Sequence, residues 1–189
     1  LLAAVLFQLV WLLELVLVLG AALLLAFWLW SGTKGSLATV IEEAAAFLPA
    51  GQTLEVQEVK GSLRGGGQIG QLRWQADGLS VTARDLRFDW QPLELLRRHL
   101  SVTELTLTQL VVDDQRTPST DAPAPPPEIV LPLDIDLPLV VGAFKLTGAS
   151  TLEASNLVAH YRYLTQQHQL QVDRIDLAQG RYQGRVNLQ

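Results

Sequence analysis

The chain has 189 residues, a net charge of −5 from 14 basic and 19 acidic side chains, and no cysteine. That balance argues against the basic surface a nucleic-acid binder needs. The missing thiols exclude disulfides and thiolate metal sites.

Residues 1–30 hold one charge, Glu14, and are otherwise almost wholly apolar. About 20 apolar residues at ~1.5 Å rise cross a bilayer, and Trp11–Trp30 supplies that length, with Leu1–Val10 in excess. Glu14 costs roughly 2.5–3.5 kcal/mol at a helix centre, which about a dozen leucines at roughly 0.3–0.6 each outweigh. In the first turn of a Trp11–Trp30 span it reaches the headgroups or pairs with a polar group of a partner helix. Trp11 opens the span, and Trp28 and Trp30 form an aromatic anchor at its far interface. The run exceeds the ~7–15-residue core of a cleaved signal peptide, and Phe27-Trp28-Leu29-Trp30 is no small-residue cleavage site. Beyond it come only Lys34, then Glu42 and Glu43. A flank this poor in basic residues predicts a body on the side away from the cytoplasm.

Residues 31–50 predict a juxtamembrane amphipathic helix. Leu37, Val40, Ile41, Ala44 and Phe47 share one face, with Glu42 and Glu43 opposite, and Pro49-Ala50-Gly51 stops it. It rests on the membrane or plugs the end of the sheet that follows. From 51 to 112 the period is 2, through Leu54 and Val56, Leu72–Ala76, Leu79–Ala83 and Leu86–Trp90. Turns are predicted at Gly78 and across Ala83–Asp85, in an antiparallel meander. A helix is predicted over 92–100, with Pro92 at its first position, before alternation returns over Ser101–Val112. Residues 113–128 are rich in proline and acids and read as a disordered insertion. Residues 129–189 resume as β, with Pro132 and Pro138 pointing to an edge strand. The chain has no Met, and Tyr182, Gly184, Val186 and Leu188 still alternate near Gln189, so it reads as a fragment of something longer.

The fold class is therefore mainly β: one N-terminal transmembrane helix, then a curled antiparallel sheet with two short helices. Most strands have one apolar face, and two short helices cannot cover it. The sheet closes on itself, packs on a second sheet, or leaves an apolar groove open to acyl chains. The inward row is Leu72, Trp74, Leu79, Val81, Leu86, Phe88, Trp90, Leu105, Leu107 and Val111. It fits groove lining and ordinary core alike.

No catalytic site is legible. Gly65-Gly66-Gly67-Gln68-Ile69-Gly70 matches G-x-G-x-x-G, but a strand pattern follows where a dinucleotide site needs a helix, so it reads as a flexible turn. Asp134 and Asp136 share a strand face and read as solvated acids. His160 points outward. No enzyme, cofactor or metal is expected.

Several segments, in order, carry a resemblance. They are Ser31-Gly32-Thr33-Lys34-Gly35-Ser36-Leu37 opening a short helix, Leu54–Leu63, Gly70-Gln71-Leu72-Arg73-Trp74, Leu86–Leu96, Val102–Asp113 and the Pro/acid-rich stretch. In that order behind a single anchor, they resemble the N-terminal part of the TamB family, within the AsmA-like, bridge-type lipid carriers. The resemblance implies a long, open, taco-like sheet anchored in a bacterial inner membrane, N-terminus cytoplasmic and body periplasmic. It implies a conduit that moves phospholipid toward the outer membrane. It also implies support of outer-membrane protein assembly with an Omp85-type barrel, met through a C-terminal region outside these residues. The inward row would line the groove, and the anchor with its following helix would be the lipid-loading end. Two alternatives fit the same alternation: an anchored β-sandwich scaffold, and a small jelly-roll subunit of the lipopolysaccharide-export type.

Overall fold

The computed structural model describes residues 2–116, 131–178 and 180–188, with side chains described from Leu17 to Asn187 within them. The period-2 runs become β1 (Gln52–Ser62), β2 (Gly66–Ala76), β3 (Leu79–Trp90), β4 (His99–Asp114), β5 (Asp134–Thr147), β6 (Leu152–Leu164), β7 (Gln167–Leu177) and β8 (Gly180–Leu188). They join in sequence order into one open 8-stranded sheet, with β1 and β8 at its edges.

The sheet is mixed, which corrects the expected antiparallel meander. β4 and β5 pair in parallel, His99 beside Asp134 and Asp113 beside Thr147. The chain leaves β4 at one end of the sheet and re-enters β5 at the other. Pro138 therefore lies in an interior strand, not at an edge. Its missing N–H is tolerated because the β4–β5 register breaks between the pairs Ser101–Asp136 and Thr106–Val140. Pro132 precedes the strand in a bend.

Other local expectations shift as well. The helix expected over 92–100 is a 3-10 helix, Pro92–Arg97, closed by Arg98 in the left-handed region (φ 57°), and His99 already belongs to β4. Of the glycine-rich turn only Gly65 stays outside a strand, and Gly66 onward is β2. No turn interrupts β3 at Ala83–Asp85. Asp113 and Asp114 end β4, while 117–128 of the expected insertion lie outside the described residues.

Helix α1 runs Leu2–Ser31 and α2 runs Ser36–Ala46. Among the described residues no single helix is long and apolar enough to cross a membrane. Leu17–Ser31 and Ser36–Ala46 pass that test only as a pair, bent by 103°. The span expected over Trp11–Trp30 is thus not confirmed, and the side chains of Trp11 and Glu14 lie outside those described. From Leu17 to Trp30 the large side chains of α1 are exposed.

One irregularity crosses the sheet from strand to strand. Between the pairs Gln57–Gln71 and Val59–Ile69, Glu58 faces Gly70, and Gly70 in turn faces Asp85 between Gln71–Arg84 and Ile69–Leu86. The line continues through Thr108 and Gly142, flanked by Leu107–Val141 and Gln109–Ala143, to Asn156, flanked by Val141–Leu157 and Ala143–Ser155. Glu58 (φ 56°), Asp85 (φ 48°) and Asn156 (φ 51°) are left-handed. A side chain at Gly142 would place its Cβ 2.8 Å from the Thr108 carbonyl oxygen. At this crease each strand changes the parity of its inward residues by one: Ala83 then Leu86 on β3, Leu107 then Leu110 on β4.

The core lies on the inward face, around Ala83, Leu107 and Val141. Helix α2 packs on β1 and the 3-10 helix on β4, and among the described residues no second layer covers β5. Val141 is nonetheless 0% exposed. Its cover comes from Leu139, Phe144 and Leu157 and their neighbours on the same face, which requires the sheet to curl around them.

Candidate functional site

Strand pairing sorts the ten inward candidates, because residues paired across a ladder share a face. Leu72 pairs with Ala83, Trp74 with Val81, and Leu79 with Ala76. Phe88 pairs with Leu105 and Trp90 with Val102. Leu86 packs on the Ala83–Leu107–Val141 cluster. Nine of the ten thus form one apolar surface running across the crease. Val111 is the exception. It pairs with Thr82 and Lys145, so it sits on the polar face, and Leu110 and Val112 hold the inward positions. The parity change at Thr108 is the physical reason. Strict alternation carried on from Leu107 selects Val111.

This surface is wet at its margins. Trp74, Phe88, Trp90, Leu72 and Val81 are all half-buried, large apolar groups with a closed core on one side only. The indoles find partners: Trp74 Nε1–H donates to Gln52 Oε1 (3.4 Å) and Trp90 Nε1–H to the Leu63 carbonyl (2.8 Å). Polar groups on this face gather at the end near β5's start. There the Tyr161 hydroxyl and His168 Nδ1 lie 2.7 Å apart, and the buried Tyr163 hydroxyl accepts the Leu131 N–H (3.0 Å).

The opposite face is charged, with ion pairs on β5 to β8. Lys145 bonds Glu153 at 2.7 Å, and His160 bonds Asp136, so His160 points outward as the sequence reads. Lys145 holds the Glu153 carboxyl below its ordinary range. Asp176 receives hydrogen bonds from Arg174, Arg181 and Asn156, which hold its carboxyl well below the ordinary range, Arg174 contributing most. Glu58, Lys60, Asp85 and Arg87 line a polar dent of about 550 Å³ where the crease meets this face. The two faces thus differ in kind: one offers apolar side chains, the other charged and polar ones.

The end of the sheet beside α1 is tightly jointed. Ser36 is 2% exposed. Its Oγ lies 2.9 Å from both the Ser31 and Thr33 carbonyls, to which it donates, and it accepts the Leu63 N–H at 3.0 Å. The Arg64 N–H donates to the Ser31 carbonyl (3.0 Å) and the Gly35 N–H to the Gly61 carbonyl (3.1 Å). The Arg64 guanidinium donates to the Trp28 carbonyl (3.2 Å) and lies 4.5 Å from the Trp28 ring centroid. A cation is favoured there because the last carbonyls of a helix are unpaired and its dipole is negative at that end. Leu37 fills the inward space that Gly67 leaves empty, where a Cβ would stand 2.6 Å from Leu37 Cδ2. Helix α2 thus packs against the sheet, but with a face rotated from the expected one. Leu37 is buried and Val40 and Ile41 half-buried, while Ala44 and Phe47, 83% exposed, point away. The helix ends at Ala46 before the row reaches Phe47.

Ser36, Arg64 and Trp90 make this joint, and sequence reading does not single them out for it. Their bonds run to backbone atoms of the α1 end, the α1–α2 turn and the β1–β2 hairpin tip, which no local pattern marks. Trp28, expected as an interfacial anchor, is also half of the Arg64 contact.

No curated protein and no solved structure matches the chain. Residues 23–189 match the family described as TamB, N-terminal domain. That stretch contains α2, the whole sheet and the end of α1 that Arg64 caps, so the chain belongs to the TamB family.

Proposed function

We propose that this chain is the membrane-proximal part of a periplasmic lipid conduit. Acyl chains lie along the inward apolar face, headgroups stay at the wet margin, and phospholipid moves toward the outer membrane. One observation carries the reading: a continuous apolar face across an open sheet, with Trp74, Phe88 and Trp90 half-exposed. Exposing that much apolar surface is unfavourable at ~25 cal/mol per Å², and a lipid chain relieves it. In this reading α1 anchors the chain in the inner membrane with the body periplasmic, and no catalytic step is involved. Support of outer-membrane protein assembly, through an Omp85-type barrel met by other parts of a longer protein, follows from family membership and belongs to the same proposal. A closed β-sandwich scaffold is disfavoured by the single layer.

The test uses photoreactive residues introduced singly into the membrane-embedded chain. Crosslinkers at Trp74, Phe88 and Leu110 should capture phospholipid, and those at Arg73, Asp89 and Val111 should not. Equal capture on both faces would sink the conduit. Leu110 and Val111 are sequence neighbours, so their contrast reads face and nothing else.

A further inference from the structure

The 3-10 helix between β3 and β4 presents large apolar side chains to the outside. Leu96 is 85% and Leu93 58% exposed. The helix packs on β4. Its position is fixed by short links to α1. Trp90, two residues before Pro92, donates to the Leu63 carbonyl, and the adjoining Arg64 donates to Ser31 and Trp28 at the end of α1. The two leucines therefore stand at the same end of the sheet as the exposed apolar surface of α1. Basic residues lie at the same end of the sheet. Arg97 and Arg98 follow directly and are exposed, and Lys34 is exposed in the α1–α2 turn. Only Arg97 is paired to a side chain in this loop, with Glu94 at 3.0 Å.

We infer that this 3-10 helix is a second membrane contact. Leu93 and Leu96 insert into the headgroup–acyl boundary of the leaflet from which α1 emerges, while Arg97, Arg98 and Lys34 meet lipid phosphates. Leucines flanked by arginines suit such an interface, where apolar burial and attraction to anionic lipid act together. A chain with net charge −5 repels an anionic surface as a whole, so a local basic cluster at this end gives the approach its direction. Two contacts, α1 and the loop, fix the tilt of the sheet over the bilayer as one contact cannot. The inference rests on the membrane reading above and adds to it where the body touches.

The chain lacks cysteine, so single labels can be placed without background. An environment-sensitive fluorophore is attached at Leu96→Cys, at Leu23→Cys in α1, and at Ala50→Cys in the turn at the far end of the sheet. The full chain is held in nanodiscs of anionic and zwitterionic phospholipid containing a spin-labelled lipid quencher. Leu23 and Leu96 labels should be quenched at least about twofold more than the Ala50 label, which stands about 35 Å away along an 11-residue strand. In the doubly substituted Arg97→Glu, Arg98→Glu chain, Leu96 quenching should fall at low salt. That difference should shrink at high salt, as screening predicts. Quenching at Leu23 with Leu96 no different from Ala50 would overturn the second contact while leaving the anchor intact. No quenching at Leu23 either would overturn the membrane reading itself. Shielding of Leu96 that grows with protein concentration in lipid-free detergent would assign the patch to a second copy of the chain and overturn the inference. Unchanged quenching in the double variant would overturn the role given to the arginines.

Discussion

Ser36 shows how one hydroxyl can hold a joint. It is buried, donates toward two helix-end carbonyls, and accepts the Leu63 N–H from the β1–β2 turn. Replacing it with Ala leaves that N–H without its partner in a site closed to water. Such a loss costs about 1–3 kcal/mol. Ser36→Ala should lower the denaturant midpoint of the detergent-solubilised chain accordingly, and Ser36→Thr, which keeps the hydroxyl, should recover part of it. An unchanged midpoint for Ser36→Ala would show that water serves the Leu63 N–H instead. Arg64 works on a different principle. Its charge meets the carbonyl end of α1 and the face of Trp28 together, a pairing of cation with dipole and ring.

At the level of elements, the crease organises what alternation alone obscures. Each strand crossing it changes parity, and the apolar face stays continuous only because all of them change together. Period-2 reading recovers Leu72 through Leu107, because on each strand those residues lie on one side of the crease or are read afresh from a new apolar start. It fails at Val111, where the count is carried across Thr108, and it inserts a turn at Ala83–Asp85, where the parity change mimics a strand end. The parallel β4–β5 pair is equally hidden, since alternation carries no strand direction. Ions stitch the last strands at this level. Asp176 on β7 binds Asn156 of β6 and Arg181 of β8, besides Arg174 on its own strand. Its carboxyl is held below the ordinary 3.8. The ionised form is thus favoured by folding, so its contribution to stability is complete above about pH 3.8 and is lost as pH falls through the lowered folded value. In a carboxyl NMR titration Asp176 should titrate below 3.8, and Arg181→Gln should move its midpoint upward. A midpoint at or above 3.8 in the unsubstituted chain would remove this stitch.

The whole molecule is one curled layer whose two faces meet different surroundings, with a jointed end beside α1 and a free end beyond the Asp77–Gly78 turn. The parallel step from β4 to β5 gives this layer a length constraint. Arg116 lies at the free end, against Gly78, and Leu131 lies at the jointed end, bonded to Tyr163. Between them run 131 − 116 = 15 peptide steps, which reach about 50–54 Å at most. The 16 residues of β4 cover about 50 Å at ~3.3 Å per step. Deleting six residues within 117–130 leaves roughly 30 Å of reach, so β5 could no longer lie parallel to β4. Amide exchange at Val141 and Leu146 should then lose its protection, whereas six added Gly/Ser residues should leave it intact, since loop entropy grows slowly with length. Full protection in the shortened chain would show that the strands tolerate another pairing. The register of β4 and β5 therefore sets a minimum length for the link between Arg116 and Leu131, whatever residues compose it.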